Sequence, residues 1–206
     1  MTAPTTVIVS RHGETVWHAE NRYAGSSDIE LTERGHRQAE MLAHWASRTR
    51  PDAIYVSSMR RARDTAAPPA AALGLQPTVL EELREVHFGV MEGRTRDEMR
   101  AAAPQVLQRF LDDPVGGAFP EAEPPAAAAA RGRAAFHTIA AAHPGETVLV
   151  VAHNTFFRIT LCALLGIPLS DYRRRLPRLD NGTLSTLTLT GDPEAGAGLL
   201  AYNVPL

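Results

Sequence analysis

The chain places its first candidate catalytic residues directly after the apolar run Thr6–Ser10: they are Arg11, His12 and Gly13. An imidazole is a good nucleophile toward phosphorus when one ring nitrogen is free and a hydrogen bond holds the other. The planar fork of an arginine binds phosphate oxygens, and a glycine lets the backbone approach a ligand closely. These residues suggest a phosphohistidine site at a strand end, where open α/β sheets bind ligands. The alternative is a purely structural histidine in a strand-end turn.

Other candidate groups follow further apolar runs. The run Val148–Ala152 ends in a second histidine, His153, and the run Ala53–Ser57 precedes an arginine-rich helix start. Between these runs, Glu85 supplies a carboxylate in a turn-rich loop. Because the carboxyl ends of parallel strands meet at one edge of a sheet, we expect both histidines in one site built from both ends of the chain.

The elements that must position these residues alternate between strands and helices. Continuous apolar runs are typical of strands in a parallel sheet that is covered on both faces. Strands are predicted at Thr6–Ser10, Ala53–Ser57, Val148–Ala152 and Leu184–Leu189, with an edge strand at Leu199–Val204. The pattern predicts an α/β fold: a three-layer α/β/α sandwich with a mainly parallel sheet and a small cap insertion at about residues 85–125.

Cap and breaker residues mark the predicted helices. Five helices are predicted: from Thr32 to about Thr49, over Arg60–Leu73 with an interruption or end at Pro68-Pro69, after Thr95, over Ala126–Ala142, and from Asn154 or Thr155 to Leu165 with a stop at Gly166. The stretch Asp112–Pro125 is rich in proline, glycine and acidic residues, which predicts a surface loop.

Composition excludes several classes of function. With 206 residues and a formal net charge of -2, the chain suits one domain over residues 1–206 and gives no sign of nucleic-acid binding. No apolar run approaches the roughly 18 residues of a membrane span, and the first residues lack a signal-peptide layout, so we expect a cytoplasmic protein without membrane contact. All 21 basic residues are arginine, which excludes lysine Schiff bases and a phosphate-loop lysine.

Four motifs in a fixed order define a resemblance that runs through essentially the whole chain. They are Arg11-His12-Gly13-Glu14-Thr15, the segment Ser57–Ala66 with its Arg61-Ala62 pair, the segment Leu83–Gly93 with Glu85, and the strand that ends in His153. Together they resemble the histidine phosphatase superfamily, which has the phosphoglycerate mutase-like fold, and in particular its phosphatase branch.

The resemblance implies a role for each matching residue. His12 would be the nucleophile that takes the phosphoryl group, and Glu85 would protonate the leaving oxygen and then activate water. The phosphate oxygens would be bound by Arg11, Arg61 and His153. Further contacts to substrate or phosphate are expected from Thr15, His18, Tyr23, Gly25 and Asn154. No cofactor is implied, and metal catalysis is not expected because the chain has no closely spaced set of ligands.

The chain departs from the family pattern at positions that bear on the substrate. His18 stands where the mutase branch usually has asparagine, and Asn154 follows the second histidine in place of glycine. The segment 120–124 stands where the family has a Gly-Gly-Glu-Ser element, with Glu123 in the place of its glutamate. Substrate selection is therefore expected in the cap. Because the cap motifs have few aromatic residues and Asp112–Glu123 is acidic, highly charged substrates are not expected.

The first hypothesis for function is a phosphomonoesterase that hydrolyses a small phosphorylated metabolite through a phosphohistidine intermediate. The alternative is a phosphoglycerate mutase-type phosphomutase, which would return the phosphoryl group to a second oxygen. Mutases of the family have a longer insertion between the acid and the second histidine than this chain has between Glu85 and His153, which favours hydrolysis. A non-catalytic module that binds a phosphorylated ligand is the third hypothesis, and a homodimer is considered because family members are often dimers.

Overall fold

A six-stranded sheet lies at the centre of the computed structural model, which describes residues 3–206. In chain order the strands are β1 (Thr5–Arg11), β2 (Ala53–Ser57), β3 (Thr78–Leu80), β4 (Thr147–Ala152), β5 (Thr183–Leu189) and β6 (Ala197–Pro205). Their spatial order is β3-β2-β4-β1-β5-β6. The sequence did not predict β3, which is too short and too exposed to give an apolar run.

Parallel pairing joins β1 to β4, β4 to β2 and β2 to β3, whereas β5 and β6 add to the sheet in antiparallel fashion. The predicted mainly parallel sheet is therefore confirmed. In β1 and β4 apolar side chains point to both faces, because each face is covered by helices.

Seven α-helices accompany the sheet within residues 3–206: α1 (Glu33–Thr49), α2 (Arg60–Leu73), α3 (Arg96–Ala102), α4 (Pro104–Asp112), α5 (Pro125–Ala142), α6 (Asn154–Leu165) and α7 (Tyr172–Arg175). On one face, Ile8 packs in a cluster with Leu42 of α1 and Ala62 of α2. On the other, Val9 packs in a cluster with Phe136 of α5 and Phe156 of α6. This arrangement confirms the three-layer α/β/α prediction. Within these residues, no helix combines the length and apolar character that crossing a membrane requires.

Helix α2 runs through Pro68 and Pro69 and ends only at Gly74, which adopts a left-handed conformation with φ of 67°. The prediction that the prolines could end this helix is wrong. A proline removes one helical hydrogen bond, so the carbonyls of Asp64 and Thr65 lose their usual donors. Packing of α2 against α1 and the sheet compensates, because Ala62, Ala66 and Ala70 on the same helix are buried in the core.

The segment predicted to form a cap, residues 85–125, contains α3 and α4. Thr95 caps α3 as expected: its side chain accepts a hydrogen bond from the Glu98 N–H, and the Glu98 side chain accepts one from the Thr95 N–H. Helix α4 was not predicted, although Pro104 at its first turn is a typical helix start. Its Phe110 packs on Phe119 of the following loop, with ring centroids 4.0 Å apart.

Candidate active site

His12 and His153 lie side by side because β1 and β4 are neighbours in the sheet and end at the same level. Arg11 pairs with Ala152 in the parallel register, and the His12 N–H donates to the Ala152 carbonyl at 3.0 Å. The two imidazole rings have centroids 5.2 Å apart, and both residues are buried. The expected assembly of one site from both ends of the chain is present in the fold.

The His12 ring is held with one nitrogen free. Its Nδ1 lies 2.7 Å from the Gly13 carbonyl, which can only accept, so Nδ1 donates and Nε2 keeps its lone pair. Burial, together with the charges of Arg61 and Arg11, places the pKa of His12 well below its usual 6.5. This neutral tautomer is the form that can attack phosphorus.

Gly13 packs closely against another backbone segment, whereas the sequence predicted that it would let the backbone approach a ligand. A Cβ at Gly13 would lie 2.5 Å from the Gly35 carbonyl oxygen, and one at Gly35 would lie 2.1 Å from the Glu14 carbonyl oxygen. The two glycines let the start of α1 pack directly against the strand end that carries His12. The Gly13 N–H donates to Thr65 of α2 at 2.9 Å, which fixes the turn further.

Glu85 lies at the N-terminus of α6. Its Oε2 accepts the N–H of Thr155 at 3.0 Å, and its Oε1 accepts those of Phe156 at 2.7 Å and Val86 at 2.9 Å. Burial raises the pKa of Glu85 above its usual 4.5, although these three backbone bonds oppose the rise. A raised pKa is what a proton donor to a leaving oxygen requires.

Arg11 and His18 form a pair at the cavity. Arg11 Nη2 donates to His18 Nε2 at 2.8 Å, and its Nη1 donates to the Leu179 carbonyl at 2.7 Å. On the other side of the ring, Nδ1 accepts the Thr15 N–H at 3.0 Å and lies 2.8 Å from Thr15 Oγ1. Burial and the Arg11 charge lower the pKa of His18 to about 4. Both ring nitrogens of His18 are thus engaged, so the expected donation from His18 to phosphate would require one of these bonds to break.

Arg61 points its donors at a loop. Its Nη1 donates to the Ser27 carbonyl at 2.8 Å, and its Nη2 lies 3.0 Å from the carbonyls of both Ala24 and Gly25, while its buried Nε has no partner within residues 3–206. Burial lowers the pKa of Arg61. In this arrangement the guanidinium organises the loop and supplies positive charge behind His12.

Glu92 holds the same loop from the other side, and the sequence analysis gave it no role. Its carboxylate accepts the N–H groups of Gly25 and Ser27 and the Ser27 hydroxyl, at 2.7 to 3.0 Å. Glu92 belongs to the Leu83–Gly93 motif, which was the available signal. Because its N–H is used in this way, Gly25 does not present a donor to the cavity.

His153 lies behind His12. Its Nε2 lies 2.8 Å from Ser57 Oγ, and its Nδ1 has no partner within the described part of the chain. Burial, then the charges of Arg61 and the neighbouring His12, lower its pKa well below the usual value. The lowered pKa favours the neutral ring, which can bind a phosphate oxygen as a hydrogen-bond donor.

A cavity of about 200 Å³ opens in front of His12. Of the predicted site residues, it is lined by Arg11, His12, Thr15, His18, Tyr23, Glu85 and Asn154, whereas Arg61, His153 and Gly25 do not line it. Charged and aromatic residues that the sequence analysis missed complete the lining, among them Arg22, Phe88, Arg96, Phe110, Arg158, Tyr172 and Arg173. Within residues 3–206, no group of three or more His, Cys, Asp or Glu side chains is arranged to hold a metal ion.

The fold and the motifs define the class to which this protein belongs. The model of the histidine phosphatase superfamily, branch 1, matches residues 7–198. The chain is a member of the histidine phosphatase superfamily, as the resemblance implied.

Three relatives illustrate the range within this family. Phosphoserine phosphatase 1 of Hydrogenobacter thermophilus is 32% identical over 166 residues, which are 81% of this chain and 79% of that protein. The probable phosphoglycerate mutase GpmB of Yersinia enterocolitica is 33% identical over 192 residues, or 93% of this chain and 88% of that protein. The solved structure of a mycobacterial glucosyl-3-phosphoglycerate phosphatase superposes with a TM-score of 0.88 at 28% identity, over 98% of this chain and 99% of that one.

Proposed function

We propose that this protein is a phosphatase that hydrolyses a small phosphate monoester through a phosphohistidine intermediate on His12. The observation that carries the proposal is the hydrogen bond from His12 Nδ1 to the Gly13 carbonyl, which leaves Nε2 unprotonated at a cavity lined by Arg11 and Glu85. A binding module has no need for a free nucleophile beside a carboxyl group with a raised pKa.

In the first step, His12 Nε2 attacks phosphorus and forms a P–N bond while the ester P–O bond breaks. The leaving alkoxide takes the proton of Glu85. Arg11 lies where its guanidinium can neutralise phosphoryl oxygens, and the charge of Arg61 adds to the positive potential from behind. Phosphoryl transfer depends mainly on such positioning and charge neutralisation.

In the second step, water attacks the phosphorus of phosphohistidine. Glu85, now a carboxylate, accepts a proton from the water, and the P–N bond breaks to return neutral His12 and release phosphate. The guanidinium groups of Arg11 and Arg61 supply the positive charge that the reaction needs, which supports the predicted independence of metal ions.

The names of the relatives support a small phosphorylated metabolite as substrate, since they refer to phosphoserine, glucosyl-3-phosphoglycerate and phosphoglycerate. The GpmB relatives keep a phosphomutase as the second candidate. The short segment between Glu85 and His153 favours hydrolysis over retention of the phosphoryl group. A cytoplasmic location, a homodimer and a single domain over residues 1–206 stay predictions.

The test measures phosphate release from a panel of phosphomonoesters in the presence of EDTA, with wild-type protein and His12→Ala. We expect release by the wild type, a loss of about 10³-fold or more in the variant, and an unchanged thermal unfolding transition. Because the P–N bond of phosphohistidine is labile in acid, the reaction is quenched rapidly without acid. Mass spectrometry should then find one phosphoryl group on the peptide that contains His12. Phosphoryl migration in 3-phosphoglycerate without phosphate release would instead identify a mutase.

A further inference from the structure

The cavity has a second positively charged wall, away from His12, that the proposed mechanism does not use. Arg158 of α6 and Arg173 of α7 form it. Arg158 is buried, its Nε donates to the Leu176 carbonyl at 2.5 Å, and its guanidinium lies 4.9 Å from the centroid of Tyr172. Arg173 donates from Nε to the Tyr172 hydroxyl at 3.0 Å and lies 4.4 Å from the centroid of Phe110.

Neither guanidinium forms an ion pair with Asp or Glu among residues 3–206. Two neighbouring arginines do form one: Arg22 at the cavity pairs with Glu98, and Arg174 of α7 pairs with Asp171. A buried guanidinium without a counter-charge is costly, and burial lowers the pKa of Arg158 accordingly. An anionic group of a ligand would supply the missing charge.

The acidic residues that argued against charged substrates lie elsewhere. Asp112, Asp113 and Glu121 do not line the cavity, and Glu123 is paired with Arg131. The aromatic lining comes from Phe88 and Phe110 of the cap segment and from Tyr23 and Tyr172 outside it. The expectation against highly charged substrates therefore rested in part on acidic residues that do not share the site.

The position of Arg158 fixes where the anion would bind. Arg158 follows Thr155 by one helical turn, and the Thr155 N–H binds Glu85. The backbone of Arg158 is therefore about 4.5 Å along the helix axis from that of Thr155, and Arg158 and Glu85 line the same cavity. In a cavity of about 200 Å³, the partner of Arg158 would be part of a short leaving group.

We propose that Arg158 and Arg173 bind a carboxylate in the leaving group, which makes phosphate monoesters of small hydroxy acids the substrate class. The faces of both guanidinium groups pack on aromatic rings and their Nε atoms are used by Leu176 and Tyr172, which leaves the Nη groups for the planar, two-oxygen contact that a carboxylate makes. The inference rests on the proposed phosphatase activity, and it names what that activity selects.

Two esters that differ only at the proposed anion test this inference: 3-phosphoglycerate and glycerol 3-phosphate, in which a hydroxymethyl group replaces the carboxylate. We expect kcat/KM of the wild type to favour 3-phosphoglycerate by at least about tenfold. In Arg158→Gln and in Arg173→Gln this ratio should fall toward one. Since both esters are measured on the same preparation, a loss of folded protein cancels from the ratio.

Arg174→Gln is the matched control, because it removes the same charge from an exposed neighbour that pairs with Asp171, and its ratio should equal that of the wild type. A wild-type ratio near one, or a ratio that neither variant changes, would overturn the carboxylate subsite while leaving the phosphatase intact. No phosphate release from these esters or from nitrophenyl phosphate would instead contradict the proposed function, and the subsite with it.

Discussion

The carboxylate of Glu85 accepts the backbone N–H of Phe156 at 2.7 Å, so the start of the cap segment is tied to the first turn of α6. The N-terminus of a helix favours a carboxylate, yet burial of Glu85 raises its pKa above the usual value. The two effects oppose each other at one group. This balance suits a residue that must hold a proton in one step and accept one in the next.

Glu85→Gln should slow alkyl phosphate esters far more than nitrophenyl phosphate. An alkoxide leaving group needs the proton of Glu85, whereas nitrophenolate leaves without one, so we expect a loss of about 10²–10⁴ for the alkyl ester. Steady-state kinetics on both esters provide the measurement. Equal slowing of the two would remove Glu85 from the role of acid.

The pH dependence of kcat/KM should show a maximum below neutral pH, between the protonation of His12 and the deprotonation of Glu85. His12 reacts when it is unprotonated, and because its pKa is lowered, the reactive form persists as the pH falls below 6.5. Glu85 donates when it is protonated, and because its pKa is raised, the protonated form persists above pH 4.5 and is lost as the pH rises further.

For an alkyl ester, the alkaline decline should therefore depend on Glu85, and Glu85→Gln should remove that part of it. Any decline that remains in the variant belongs to ionisation of the substrate phosphate or of other groups. An identical alkaline limb in wild type and variant would contradict the assignment.

His18→Ala should raise KM for phosphate esters by about tenfold, because Arg11 Nη2 loses its acceptor and becomes less well oriented. His18→Asn restores an acceptor and the residue that the mutase branch usually has, so it should recover much of the loss. Comparison of kcat and KM for the two variants is the test. An alanine variant with the KM of the wild type would show that His18 does not position Arg11.

Glu92→Gln should destabilise the fold by about 1–3 kcal/mol, since a charged acceptor of backbone N–H groups in a half-buried loop is replaced by a neutral amide with one acceptor. Denaturant unfolding measures the change. Glu121→Gln serves as a control because this exposed carboxylate makes no side-chain hydrogen bond among residues 3–206. If both variants unfold at the wild-type midpoint, Glu92 does not hold the loop.

Much of the fold was accessible from local patterns. The runs that became β1, β2 and β4 are apolar throughout, which is the pattern of strands buried on both faces, and Thr32, Thr95 and Gly166 mark helix ends where the structure has them. The predicted break in α2 failed because of contacts that local patterns do not contain. The prolines of α2 carry a strong signal for a break, and only contacts with α1 and the sheet outweigh it.

The sequence by itself determined the strand ends that carry His12 and His153, because side-chain periodicity and apolar runs are properties of neighbouring residues. It also placed Glu85 in its loop, through the order of the family motifs. The tertiary structure alone decided where each donor points. Arg61 turned to the loop that Glu92 holds, and Arg158 and Arg173 turned into the cavity, because the direction of a long side chain depends on packing between elements that are distant in the chain.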